Sequence, residues 1–421
     1  MPSPHTLLPV EYPVQLDFPR RIAILGSTGS IGQSTLRVIE ALPGRFEVVA
    51  LAAGRNLELL EAQARRFQPR LVSVADAELA KKLKQCLSNL PRRPEVLHGP
   101  GGLRAVAAES PANLIVAAVV GVACLEAALA ALQAGKLLAL ANKELLVAGG
   151  PLLAAAAAKR KMPLLPIDSE HSAIHQCLRA GRRSELRRLI LTASGGPFRD
   201  WPLEKLAKVK PEQALRHPTW QMGQRVTLDS ATLMNKGFEI LEACHLFGLE
   251  EAQVEVLIHP QSLAHSLVEF HDGSVLAQLS PADMAMPIQY ALTYPERMPH
   301  APAQLDLAAQ GRLEFFTADE NRYPCLRLAR QAGRTGGTAG AILNAADEVA
   351  AAEFMKGRLG FPAIADCIEA VLSQIPARPL KQLEDVLAAD AEARQAARDW
   401  IVQNHGSRVS GAAAAERREN L

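Results

Sequence analysis

Short apolar runs alternate with helix-forming stretches through residue 166, and this alternation constrains the fold more than any other feature of the chain. RRIAILG (20–26), FEVVALAAG (46–54), LVSV (71–74), LIVAAV (114–119) and LLAL (137–140) are separated by α-prone segments such as STLRVIEAL. A helical connection returns the chain to the edge at which the preceding strand began, so such strands build a largely parallel sheet. A sheet of this kind leaves a binding crevice beyond its strand ends.

The first strand runs into GSTGSIG, which sets Gly26, Gly29 and Gly32 between strand and helix. The spacing differs from the usual GxGxxG of dinucleotide sites, and an ordinary strand–helix turn could carry it. Glycines nonetheless permit a tight turn and close backbone approach, while Ser27, Thr28 and Ser30 add donors where a helix start favours negative charge. The second strand ends at Gly54-Arg55-Asn56, with no carboxylate at its immediate end to hold a free ribose hydroxyl. Arg55 therefore suits the extra 2′-phosphate of NADP(H), with Asn56 as a polar contact. Glu58 is the competing acid, but its place in LELLEAQ equally fits a solvated helix face.

Composition supports a folded, multidomain chain. The 421 residues are 48% apolar with only 4% aromatic, so alanine, leucine and valine supply the core. At about 150 residues per domain the length implies two or three domains. The 46 basic residues nearly balance 44 acidic ones, which excludes a global attraction to nucleic acid. Six cysteines without a CxxC pair fit thiols in a reducing compartment rather than a zinc cluster or disulfide framework. No uninterrupted apolar stretch is long enough for a membrane span, and the Pro-rich start lacks the pattern of a secretory signal.

Two further segments carry chemistry. PIDSEH places Asp168 and Glu170 two apart after a strand, where an extended chain would turn both carboxylates to one side and His171 elsewhere. DSATLMNKGFEILEA reads as a helix starting after Thr227, with Asn235 and Glu239 on one face and Lys236 beside them. Asp168, Glu170 and Glu239 form an all-oxygen set that suits Mg²⁺ or Mn²⁺. Ser194 (in TASGG), Ser230, Asn235 and Lys236 could enclose a phosphate, although Ser230 could also be a helix cap. Four prolines between 195 and 225 suggest a mobile active-site loop there.

Taken together, GSTGSIG, ANKE, PIDSEH, LTASGGPF, HPTWQMG, DSATLMNKG and IHPQS follow one another in an order that resembles the 1-deoxy-D-xylulose 5-phosphate reductoisomerase family. The resemblance implies an α/β protein: a Rossmann-like NADPH domain (21–167), a central α+β catalytic and metal-binding domain (168–310), and a linker with a C-terminal helical domain (311–405). Residues 1–20 and 406–421 are expected to be a flexible extension and tail. It implies the NADPH- and metal-dependent rearrangement and reduction of 1-deoxy-D-xylulose 5-phosphate, a phosphorylated deoxy-sugar, to 2-C-methyl-D-erythritol 4-phosphate. A bacterial cytoplasmic homodimer is expected, with no nucleic-acid or membrane partner. The simpler alternatives are an NADPH-dependent aldehyde or hydroxy-acid dehydrogenase, or a nonenzymatic nucleotide sensor.

By the same resemblance, Asp168, Glu170 and Glu239 are metal ligands, with Lys143 and His217 beside them as catalytic residues. Substrate contacts are Ser169, His171, Ser194, His217, Trp220, Ser230, Asn235 and Lys236. Cofactor contacts are Gly26, Ser27, Thr28, Gly29, Ser30, Ile31, Gly32, Gly54, Arg55, Asn56, Asn142, Glu144, Met222 and Gly223. The NADP(H) assignment predicts that Arg55→Ala weakens NADPH binding more than NADH binding. Equal losses in the two measured affinities would remove Arg55 from that role.

Overall fold

The computed structural model describes residues 18–220, 222–299 and 304–419, with side chains described as far as Asn404. The expected N-terminal extension therefore lies outside the described residues up to residue 17. Seven strands form the first sheet: β1 (Arg20–Leu25), β2 (Phe46–Ala52), β3 (Leu71–Val74), β4 (Glu95–His98), β5 (Leu114–Ala117), β6 (Leu137–Leu140) and β7 (Leu164–Pro166). All pair in parallel, in the order β4-β3-β2-β1-β5-β6-β7. Helices cover both faces, so a central strand needs apolar residues on both sides. Ile22, Ala23, Ile24 and Leu25 of β1 are accordingly all buried.

Strand order reverses at β1, which lies between β2 and β5, so the crevice opens where β1 ends. Two glycines of the turn there are obligatory. Gly26 has φ +89°, and a Cβ on it would lie 2.5 Å from the Ala118 carbonyl oxygen. A Cβ on Gly32 would come within 2.3 Å of the Gly26 oxygen, because the helix Ser30–Ala41 starts almost on top of the turn.

The second sheet holds β8 (Leu186–Ala193), β9 (Val254–Ile258), β10 (Ala264–Phe270), β11 (Val275–Leu279) and β12 (Phe316–Thr317) in the order β11-β10-β8-β9-β12. β10 runs antiparallel to β8 and β11, whereas β9 runs parallel to β8. The helix Ser169–Cys177 leaves β7 of the first sheet and packs on β10 of the second. The helix Ala285–Thr293 crosses back, packing Ile288, Tyr290 and Leu292 into the core of the first sheet. Arg20 fastens this return, donating from Nη1 to the Leu292 carbonyl at 2.8 Å and from Nη2 to that of Tyr294 at 3.2 Å.

The C-terminal region is helical: Pro324–Thr335, Ala339–Met355, Ala363–Gln374 and Leu383–Glu419. The break falls at Gly336 and Gly337, both with positive φ, while Gly333 stays inside the preceding helix. The last backbone helix continues through most of the stretch read as a tail from residue 406. Its residues 412–419, AAAAERRE, are strong helix formers, although 406–411, GSRVSG, are not.

His175 joins the two sheets within this scaffold. Its Nδ1 lies 2.7 Å from the Tyr290 hydroxyl, and its ring meets Tyr290 and Tyr294 edge-on. Burial, with Arg179 adding repulsion, pulls its pKa from 6.5 down to about 3. Unfolding below pH 6.5 therefore takes up a proton that the folded state refuses, so stability is complete above that pH and falls as pH drops toward 3. Between pH 7 and 5 this amounts to about 2 kcal/mol. His175→Gln should shrink the stability difference between those pH values by about that much in urea unfolding. An unchanged difference would mean that His175 does not refuse the proton.

Candidate active site

A cavity of about 250 Å³ lies beyond the carboxyl ends of β1 and β6, bounded on its other sides by the second sheet and the 195–223 loop. β6 passes into ANKE, where Lys143 is the residue before the helix Glu144–Arg160. β7 ends at Pro166, and Asp168 occupies the N-cap of the helix Ser169–Cys177. The acids therefore converge from a helix start, not along an extended strand as the sequence reading has it. Asp-Ser-Glu suits a helix N-terminus, where negative charge is favoured. The DSATLMNKGFE segment also differs from a single helix. It forms Gln224–Thr232 and Met234–Phe247, separated by Leu233 at φ +56°, and the second helix presents Asn235, Lys236 and Glu239 to the cavity.

Five charged groups meet at this junction. Lys143 Nζ lies 2.7 Å from Asp168 Oδ2, 3.0 Å from Glu239 Oε1 and 2.8 Å from Asn235 Oδ1. Lys236 Nζ donates to Glu170 Oε1 at 2.9 Å and to Glu239 Oε2. Ser169 donates to Glu170 at 2.6 Å, and Asn235 to Glu239 at 2.6 Å. Burial pushes the Asp168 carboxyl up, but Lys143 and His171 outweigh it and hold it well below the usual carboxylate range. Burial likewise opposes charge on Lys143, yet Asp168 and Glu239 keep it an ammonium. For Glu239 the balance runs the other way, with burial and the neighbouring Glu170 pushing it up despite both lysines.

Four carboxyls (Asp168, Glu170, Glu239 and Glu242) against Lys143, Lys236 and His171 leave the acids one in excess. One oxygen from each of Asp168, Glu170 and Glu239 lies within 4.8 Å of the others. An all-oxygen donor set with surplus negative charge, one carboxyl of which is driven toward protonation, fits a hard divalent cation.

A second set of groups surrounds His217. Its Nε2 is 3.0 Å from Ser194 Oγ, at the end of β8, and 3.1 Å from Ser230 Oγ. Its Nδ1 accepts the backbone N–H groups of Trp220 at 2.9 Å and Thr219 at 3.2 Å. Nδ1 is thus an acceptor, Nε2 carries the hydrogen, and burial pulls the pKa down to about 4. A neutral N–H and two hydroxyls facing one point make an anion-binding pocket. The loop supplying His217 contains two short helices, Leu203–Leu206 and Pro211–Ala214, between its prolines.

Among the remaining sequence-predicted residues, Ser30, Ile31, Met222 and Gly223 line the same cavity, as do Ser169 and Trp220. Arg55 is exposed, 3.5 Å from Asp76, while the Asn56 side chain caps the next helix by accepting from Leu59 N. The Asn142 amide bonds to the carbonyls of Val119 and Gly121 and joins the ends of β5 and β6. Gly26, Ser27, Thr28, Gly29, Gly32, Gly54, Asn142 and Glu144 stand at the strand ends or the helix starts that follow them, outside the cavity wall. His171 also departs from the expectation of substrate contact. It is wholly buried behind Asp168 and does not line the cavity. The structure adds His265, edge-on to Trp220, together with Ser262 and Met284. Ser262 closes the IHPQS motif, whose order pointed to this region without singling out a residue.

Three family models match the chain. One, described as 1-deoxy-D-xylulose 5-phosphate reductoisomerase, covers residues 22–150, and two describing C-terminal domains of that enzyme cover 164–247 and 279–396. A 1-deoxy-D-xylulose 5-phosphate reductoisomerase from Moorella thermoacetica is 54% identical, the match covering 90% of this chain and 97% of that protein. The structure of the enzyme from Zymomonas mobilis in complex with NADPH is similar with a TM-score of 0.86 at 42% identity, covering 91% of this chain and 99% of that one. A DOX-P reductoisomerase in complex with NADPH, fosmidomycin and magnesium gives 0.86 at 40% identity, covering 91% and 98%.

Glu239→Gln should weaken Mn²⁺ binding by at least about tenfold, since losing a ligand should cost no less than losing an outer-shell partner. NADPH affinity should change little. Unchanged Mn²⁺ affinity in a calorimetric titration would remove Glu239 from the ligand set.

Proposed function

The chain belongs to the 1-deoxy-D-xylulose 5-phosphate reductoisomerase family, and we propose that it converts 1-deoxy-D-xylulose 5-phosphate and NADPH to 2-C-methyl-D-erythritol 4-phosphate and NADP⁺ with Mg²⁺ or Mn²⁺. One observation carries this reading: a three-carboxylate cluster, an anion pocket and the first residues of a dinucleotide-type helix share one cavity. A simple dehydrogenase has no use for the first two together.

In this reading Asp168, Glu170 and Glu239 hold the divalent ion, which when bound stabilises negative charge on substrate oxygens and polarises a carbonyl. Ser194, Ser230 and the His217 Nε2–H receive the substrate phosphate, while Asn235 and Lys236, bonded to Glu239 and lining the same cavity, contact the substrate. Lys143, charged and shared between Asp168 and Glu239, can steady a developing oxyanion or return a proton. Trp220 and Met222 cover the substrate and limit water as the carbon skeleton rearranges. NADPH supplies the hydride, and the turn after β1 with Arg55 orients it. The domains read as 21–167 for cofactor, 168–310 for catalysis and 311–405 for the helical cap.

A homodimer is supported by exposed Val275 and Leu276 on β11 and Phe316 on β12, at opposite edges of the second sheet. A cytoplasmic location is supported by six cysteines that are all unpaired. Among the described residues no helix is long and apolar enough to cross a membrane.

The deciding assay supplies 1-deoxy-D-xylulose 5-phosphate, NADPH and Mg²⁺ and follows both NADPH oxidation and the carbon skeleton of the product. Stoichiometric oxidation with the branched product is expected, abolished by a chelator and restored by Mn²⁺. Oxidation without rearrangement would favour a simple reductase, and NADPH binding without turnover a nucleotide sensor.

A further inference from the structure

We propose that Glu242 and His171 are positioning residues for Asp168, bracing its carboxylate toward the ion that it shares with Glu170 and Glu239. The inference rests on the metal site read above and adds two side chains that never reach the cavity.

The contacts form a small ladder between two helices. Asp168 and His171 are three apart at the start of Ser169–Cys177, and Glu239 and Glu242 are three apart on Met234–Phe247, so each pair shares one helix face. The His171 ring stands between them. Its Nδ1 lies 3.3 Å from Glu242 Oε2 and 3.5 Å from Asp168 Oδ2, and its Nε2 lies 2.9 Å from the Glu239 backbone oxygen. The ring is also stacked on Phe247, with centroids 6.3 Å apart and planes 19° apart. A backbone carbonyl only accepts, so Nε2 carries a hydrogen and the ring orientation is determined at that end. One imidazole thereby touches Asp168 through its side chain and Glu239 through its backbone.

Glu242 explains the other end of the ring. It is 1% exposed, and its Oε2 makes no hydrogen bond of good geometry. A buried carboxylate in that state costs desolvation, and an apolar side chain of similar volume would fill the space more cheaply. What the carboxylate adds is direction. It sets a negative charge 3.3 Å from Nδ1, the nitrogen that faces Asp168 Oδ2 at 3.5 Å, as outer carboxylates orient the groups around a metal.

The test uses the full chain, its Glu242→Gln and His171→Gln variants and the double variant. Each is titrated with Mn²⁺, with free ion followed by electron paramagnetic resonance, and NADPH affinity is measured beside it. The parent should bind one Mn²⁺ per chain. Each single variant should bind it about 10- to 100-fold more weakly with NADPH affinity nearly unchanged. Because the two residues act through one another, the double variant should be no weaker than the weaker single variant.

Unchanged Mn²⁺ affinity in either NADPH-binding single variant would overturn the proposal, as would losses that multiply in the double variant. Two Mn²⁺ per parent chain would overturn it as well, since Asp168, His171 and Glu242 would then be a second metal site. If Glu242→Gln fails to bind NADPH, His171→Gln alone decides. A parent that binds no Mn²⁺ would instead bring down the metal site itself.

Discussion

The contact on which the rest of this structure depends is the buried pairing of Lys143 with Asp168 and Glu239. Its three members come from the end of β6, the start of the helix after β7, and the helix Met234–Phe247. Charges taken out of water must find one another at short range or the burial is prohibitive. That requirement draws the first sheet, the second sheet and the substrate cavity to a single point. The surplus negative charge left there belongs to chemistry rather than to folding.

Two half-buried arginines extend these ties outward. Arg225, just past the loop that carries His217, donates from Nε to both Asp229 oxygens and from Nη2 to Asp347 in the helix Ala339–Met355. The helix bearing Ser230 is thus fastened to the C-terminal helices. Arg322 does the same at the other end of the loop, bonding the carbonyls of Phe198 and Trp201. The loop is tied at both ends, and its middle is held by buried Val209 and Ala214 and by His217.

Much of this was legible beforehand, and the divisions have physical reasons. The parallel sheet announced itself because strands buried on both faces must be continuous apolar runs. The Asp168–Glu170 pair was legible because acids at short spacing are conspicuous, although the backbone that brings them together with Glu239 is a helix start rather than a strand. The split at Leu233 was not legible, since leucine gives no warning of positive φ. The burial of His171 behind Asp168 was not legible, since a histidine beside two acids reads as a substrate contact and its burial is set by the distant helix Met234–Phe247. Asp347 lies 122 residues from Arg225, and no local pattern signals such a partner.

The placement of His217 has a consequence for selectivity. Its Nε2 rests on Ser194 and Ser230, so the loop is held by the same three groups that would receive a phosphate. An incoming anion must take over those hydrogen bonds one for one. The anion would then link the cover to Ser194 and Ser230 in place of the direct contacts, and a sugar lacking the phosphate has nothing to offer these groups. Selectivity for the phosphorylated substrate would thus be tied to placing the cover, because the groups that would hold the phosphate are the ones that hold the loop.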